Sequence, residues 1–200
     1  MQSRLELAAG GTLLYAAAGA TLSTAYRAAA VVFVTVLTVV AAQISIPLPF
    51  TPVPFTLQPM VVLLGGAALG ARLGMMSQIL YLAIGLAGLP VFAASPALPQ
   101  GFARLVGPTG GYLMSYPFAA FVTGLLAQRG FDRRYATSVL AMAAGLAIIF
   151  SFGVLWLAFG VPHAGLPNAL RAGLVPFIVA DVMKVLLAAA VLPTAWRFLR

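Results

Sequence analysis

The sequence has no cysteine, one histidine, one lysine and three acidic residues in 200 positions. Without cysteine there are no disulfides, thiol nucleophiles or thiolate metal sites. A lone histidine, His163, excludes a conventional zinc centre, which needs several nitrogen or sulfur ligands. Charged residues make up only 7% of the chain, against about a quarter in ordinary soluble domains. No lysine follows a glycine-rich loop in the G-x-x-x-x-G-K-S/T pattern, so ATP hydrolysis by that route is excluded. These absences remove a soluble globule, a metalloenzyme and a P-loop ATPase together, and no catalytic constellation is left.

What the chain has is apolar length. Hydrophobic residues make up 62% of it, and mean hydropathy is +1.07. A helix crossing a hydrocarbon core needs roughly 20 such residues. The pattern predicts an all-α integral membrane protein with six spans, at about 28–45, 56–69, 73–89, 110–127, 135–160 and 173–195. Residues 1–26 read as an N-terminal cytoplasmic or interfacial extension, and residues 27–200 as one transmembrane domain.

The net charge of +8 does not mark a nucleic-acid partner, because the arginines punctuate the ends of apolar segments. With the N-terminus inside, Arg4, Arg27, Arg72, Arg129, Arg133, Arg134, Arg197 and Arg200 fall on the cytoplasmic side. Only Arg104 and Arg171 fall outside, and this bias predicts that both termini are cytoplasmic. Trp196, beside Arg197, reads as an interfacial anchor.

The sixth span carries the stretch FIVADVMKVLL, with Asp181 and the sole lysine, Lys184, three residues apart. That spacing puts both on one helix face. Asp181 falls about 12 Å below the outer end of the span, at 1.5 Å per residue. Facing lipid, each charge would cost a few kcal/mol, so both are expected to face the bundle interior. A self-neutralising ion pair that pins the helix is the plain alternative, but buried pairs often fail to repay their desolvation. Ionisable groups within a membrane usually mark a ligand or transport site.

Two outer connections are long. SIPLPFTPVPFTLQP has five prolines and reads as a stiff extended loop, not a helix. Gln58 follows it, an amide that needs a partner in hydrocarbon. The second, GLPVFAASPALPQGFARLVGPTGGYL, is apolar and rich in Gly and Pro. Its GPTGGYL segment brings glycine backbone to a helix start, which serves tight packing or a polar ligand group. Gly66, Gly70 and Gly74 form small-xxx-small steps expected to pack helices closely. His163 and Asn168 fall in an outer loop and read as solvated.

Taken in order, AQISIPLPFTPVPFTLQ, GARLG…YLAIGLAGLPVFA, LVGPTGGYLMSYPFAA and GLVPFIVADVMKVLLAA resemble the BioY family. These are biotin-specific substrate-binding (S) components of energy-coupling factor (ECF) vitamin transporters. The resemblance covers about residues 27–193. It implies a six-helix S-component fold in a bacterial plasma membrane, with no enzymatic activity and no cofactor. Such a component binds biotin near the outer surface and delivers it inward with a transmembrane coupling protein (T component) and two cytoplasmic ATPases.

The resemblance also implies site residues. The D-x-x-K pattern of the last helix matches Asp181 and Lys184. The capping first loop matches 47–58, with Thr56 and Gln58. The segment bordering the pocket matches 107–112, with Gly110, Gly111 and Tyr112. Phe92 is expected to supply an apolar wall, and Arg104 stands as the equivalent of an arginine found in some members. An asparagine of those members has no counterpart here. Where S components carry an AxxxA-type docking stripe on helix one, this chain has Val32 and Val36. From the residues alone, two alternatives stay open: a gradient-coupled secondary transporter with Asp181 as proton carrier, and an S component for another vitamin.

Overall fold

The computed structural model describes residues 11–18, 22–94, 99–162 and 165–199. Arg4, Glu6, His163 and Arg200 lie outside the described residues, as do 1–10 and 19–21 of the N-terminal extension. In chain order the elements are α1 (Leu13–Ala18), α2 (Thr24–Gln43), β1 (Ser45–Ile46), β2 (Phe55–Thr56), α3 (Gln58–Leu69) and α4 (Ala71–Leu86). They continue with α5 (Phe102–Val106), α6 (Gly110–Gln128), a 3₁₀ turn (Phe131–Arg133), α7 (Tyr135–Leu155), α8 (Gly165–Gly173) and α9 (Val175–Phe198). A π-helical turn, Trp156–Gly160, prolongs α7.

Four of these, α2, α6, α7 with its π turn, and α9, are long and apolar enough to cross a membrane. The other two expected spans form apolar helices of only 12 and 16 residues, α3 and α4. The proline loop explains the brevity of α3. Its strands pair antiparallel, Ser45 with Thr56 and Ile46 with Phe55, as a two-stranded ribbon. Lys184 lies nine residues into α9, about 14 Å along it at 1.5 Å per residue. Because Lys184 meets the Thr56 carbonyl, the ribbon descends that far into the bundle mouth, and α3 begins already part-way down. Pro59 at its first turn fits there, where a missing N–H costs nothing.

Helix boundaries follow local chemistry. Ser23 caps α2 by accepting the Tyr26 N–H on its Oγ at 3.2 Å. Gly70, with φ +86°, turns the chain between α3 and α4, a conformation that L side chains rarely adopt. The small residues do pack helices closely. A Cβ on Gly66 would lie 2.5 Å from the Ala120 carbonyl oxygen, and one on Gly124 2.5 Å from Gly70 backbone. α3, α4 and α6 therefore cross backbone to backbone, around a core that includes Val62, Leu63, Tyr81, Ala119, Ala120 and Met142.

Two details differ from the sequence reading. The connection after α7 is not a plain loop, because it folds α8, on which Asn168 is exposed. Trp196 is not an exposed interfacial anchor. It is buried, with its indole N–H donating to Asp132 Oδ2 at 2.6 Å and the Arg133 guanidinium 4.5 Å above its ring. A carboxylate in the α6–α7 turn draws the indole inward.

Candidate functional site

Asp181 and Lys184 project from α9 into the bundle, and both are buried. The Lys184 ammonium donates to Asp181 Oδ1 at 2.7 Å and to the Thr56 carbonyl at 2.7 Å, and sits 3.6 Å from the centroid of the Phe55 ring. The lysine thus joins the carboxylate of its own helix to the ribbon of the first loop. The cation lies on an aromatic face, a favourable contact away from water.

The next shell is polar and connected. The Gln58 amide donates to the Tyr81 hydroxyl at 2.7 Å, and Tyr81 donates to the Val91 carbonyl at 3.2 Å. Thr56 Oγ1 accepts the Gln58 N–H at 3.3 Å. Tyr81 also meets Phe92 edge to face, with centroids 5.6 Å apart. The Tyr112 hydroxyl donates to the Gly173 carbonyl at 2.8 Å, tying α6 to the end of α8. Arg104, on the short helix α5, is 1% exposed and donates to the Ala93 carbonyl, while its Nε makes no hydrogen bond among the described residues. Burial lowers its pKa from the ordinary arginine value, yet a guanidinium stays charged in proteins. Thr109 Oγ1 is likewise buried without a partner among the described residues.

These groups line one cavity. Thr56, Gln58, Phe92, Arg104, Tyr112, Asp181 and Lys184 all border it, seven of the nine residues singled out from the sequence. Gly110 and Gly111 do not border it. They are packing positions, because a Cβ on Gly110 would collide with the Leu105 carbonyl and one on Gly111 with the Trp156 side chain. Trp156 closes that contact by donating to the Gly107 carbonyl at 2.9 Å.

Sequence reasoning missed Tyr116, Phe177 and Ile149, which also line the cavity. Nothing in an unbroken apolar helix distinguishes them from lipid-facing residues until its inward face is known. The cavity measures about 50 Å³. That is room for a few waters, well below the roughly 300 Å³ of usual small-molecule pockets.

The BioY family model matches residues 8–200. The chain belongs to the BioY family. Among BioY relatives, the biotin transporter of Thermotoga maritima is 43% identical over 157 residues, spanning 78% of this chain and 88% of that one. The probable biotin transporter of Pyrococcus horikoshii is 43% identical over 148 residues, spanning 74% and 82%. A crystal structure of the S component for biotin from an ECF-type ABC transporter superposes with a TM-score of 0.76. It is 26% identical and is covered over 95% of its length by 88% of this chain. BioY membership therefore rests on both sequence and fold.

Proposed function

We propose that this chain captures biotin from the outer side of a bacterial plasma membrane and mediates its uptake as the S component of an ECF transporter. The observation that carries the reading is the carboxylate–ammonium pair at 2.7 Å, set among Phe92, Tyr112 and Phe177 beneath the first loop. Biotin presents two ureido N–H donors, a ureido carbonyl, an apolar bicycle and a carboxylate. Asp181 accepts a ureido N–H. Lys184, released from the Thr56 carbonyl, donates to the ligand's oxygen. The aromatic walls cover the rings, the usual division of labour between polar and apolar groups in a small-molecule site. Arg104 Nε, without a hydrogen-bond partner among the described residues, can donate to a further acceptor.

Uptake needs a motor, and the sequence has no P-loop motif, so ATP hydrolysis belongs to two partner ATPases acting through a T component. α2 is a candidate docking face for that component, with Val32 and Val36 each about half exposed on one side. Six membrane passages with both termini cytoplasmic are supported by charge segregation. The ends of α6 and α9 and the starts of α4 and α7 bring Arg72, Arg129, Arg134 and Arg197 to one end of the bundle, and Arg104 lies at the other.

Equilibrium dialysis of the detergent-purified protein against labelled biotin tests the reading. Saturable binding is expected, undisplaced by excess thiamin or riboflavin. No binding, or equal competition by those vitamins, rejects biotin as the substrate.

A further inference from the structure

A second cavity, of about 520 Å³, opens at the arginine-rich end of the bundle, far from the Asp181 pocket. Its polar lining residues are Tyr15, Arg72 and Gln128, from α1, the start of α4 and the end of α6. Leu73, Phe121 and Leu125 form its apolar wall. At helical spacing from these, exposed Met76 on α4 and Phe118 on α6 continue an apolar strip toward the middle of the bundle. The site is therefore amphiphilic along the membrane normal, polar at the bundle end and apolar toward the hydrocarbon.

Among the described residues nothing neutralises its charge. The described residues include two carboxylates, Asp132 and Asp181, and each is engaged elsewhere, with Trp196 and Lys184. Arg72 is exposed at the rim with no ion-pair partner among the described residues. Arg129, Arg134 and Arg197, all exposed, add positive charge at the same end. A guanidinium forks onto two oxygens of a phosphate, and basic pockets between helices near the membrane surface collect anionic headgroups.

We propose that this cavity binds an anionic phospholipid, with its phosphate on Arg72 and an acyl chain along Leu73, Phe121 and Leu125. A soluble phosphate would use the arginine but leave the apolar wall uncovered. A zwitterionic lipid would use the wall but bring its own cation to a cationic end. An anionic lipid satisfies both halves. Bound there, it bridges α1, α4 and α6 at the end opposite the biotin pocket.

Native mass spectrometry of the delipidated full-length protein tests this, with dioleoyl-phosphatidylglycerol and dioleoyl-phosphatidylcholine added at equal concentration. Wild type is expected to retain the glycerol lipid several-fold over the choline lipid. Arg72→Gln should erase that preference and Arg72→Lys keep part of it, and biotin binding by each variant reports an intact bundle. Equal retention of the two lipids, an undiminished preference in Arg72→Gln, or displacement of the lipid by millimolar inorganic phosphate would each overturn the assignment.

Discussion

Lys184 and Thr56 are 128 residues apart in sequence, yet the lysine ammonium donates to the threonine carbonyl at 2.7 Å. This bond fastens the first-loop ribbon to the middle of α9. It also uses the cation that a ligand would need, in a cavity too small for a bicyclic ring. On the proposed reading of this cavity as the biotin site, loading requires the ribbon to lift.

That requirement gives a kinetic prediction. Thr51 Oγ1 donates to the Ala172 carbonyl at 2.7 Å, which places the loop tip against the end of α8. The chain has no cysteine, so Thr51→Cys with Ala172→Cys can be joined by a short thiol cross-linker without side reactions. Cross-linking should slow both association and dissociation of biotin by about tenfold or more, as expected when binding waits on a conformational change. Stopped-flow fluorescence on linked and unlinked protein measures it. Unchanged rates would mean that the ligand enters by another route.

The buried pair separates stability from binding. Asp181→Asn leaves a buried ammonium short of its counter-charge, a change that typically costs about 3–5 kcal/mol. Replacing both residues, Asp181→Asn with Lys184→Met, removes that penalty and should restore most of the lost thermal stability. Biotin affinity should fall in both proteins by at least about tenfold, since hydrogen bonds to charged groups contribute about 1.5–3 kcal/mol each. Thermal unfolding and dialysis on the same preparations give the two readings. Retained affinity in the double variant would reduce the pair to a structural pin.

The pair was legible in the sequence because charge within an apolar helix has one inexpensive direction to face. The glycine steps at Gly66, Gly70 and Gly74 were legible for the same kind of reason, because small residues at that spacing allow backbones to approach. Gly110 and Gly111 were read as bordering the pocket, and the structure turns them to Trp156. A glycine pattern says that something comes close, not what. The short α3 was drawn at the right place, but the depth to which the preceding ribbon descends depends on Lys184 and Thr56 meeting, a long-range contact that no local pattern encodes. Trp196 shows the same limit, since its partner Asp132 is 64 residues away.

The close crossing of α3 and α6 can be tested directly. Gly124→Leu puts a branched side chain where a Cβ alone would lie 2.5 Å from Gly70 backbone and 2.6 Å from the Gly66 carbonyl oxygen. Backbone cannot yield as a flexible side chain can, so destabilisation of at least about 1–3 kcal/mol is expected, as for overpacked cores. Thermal unfolding in detergent measures it. Gly88→Ala is the control, because a Cβ there meets nothing within 4 Å; its φ of +94° costs backbone strain alone. A smaller loss in Gly124→Leu than in Gly88→Ala would show that the helices part without cost.

Asp132, far from the Asp181 pocket, is expected to give the bundle a pH dependence. Burial raises its pKa above the usual carboxylate range, partly opposed by the hydrogen bond from Trp196 and by the nearby Arg133. The folded protein holds this proton to higher pH than the unfolded chain does, so folding takes up a proton in that window. The stability contribution is complete below the unfolded carboxylate's pKa and is lost as pH rises through the folded one. Asp132→Asn keeps an acceptor for the Trp196 indole and removes the titration. The difference in Tm between variant and wild type should therefore grow as pH rises from about 4 toward neutrality, in favour of the variant. Unfolding followed by Trp fluorescence at a series of pH values measures it. A difference that stays flat, or that favours wild type increasingly with pH, would mean that the carboxylate is held ionised at this turn.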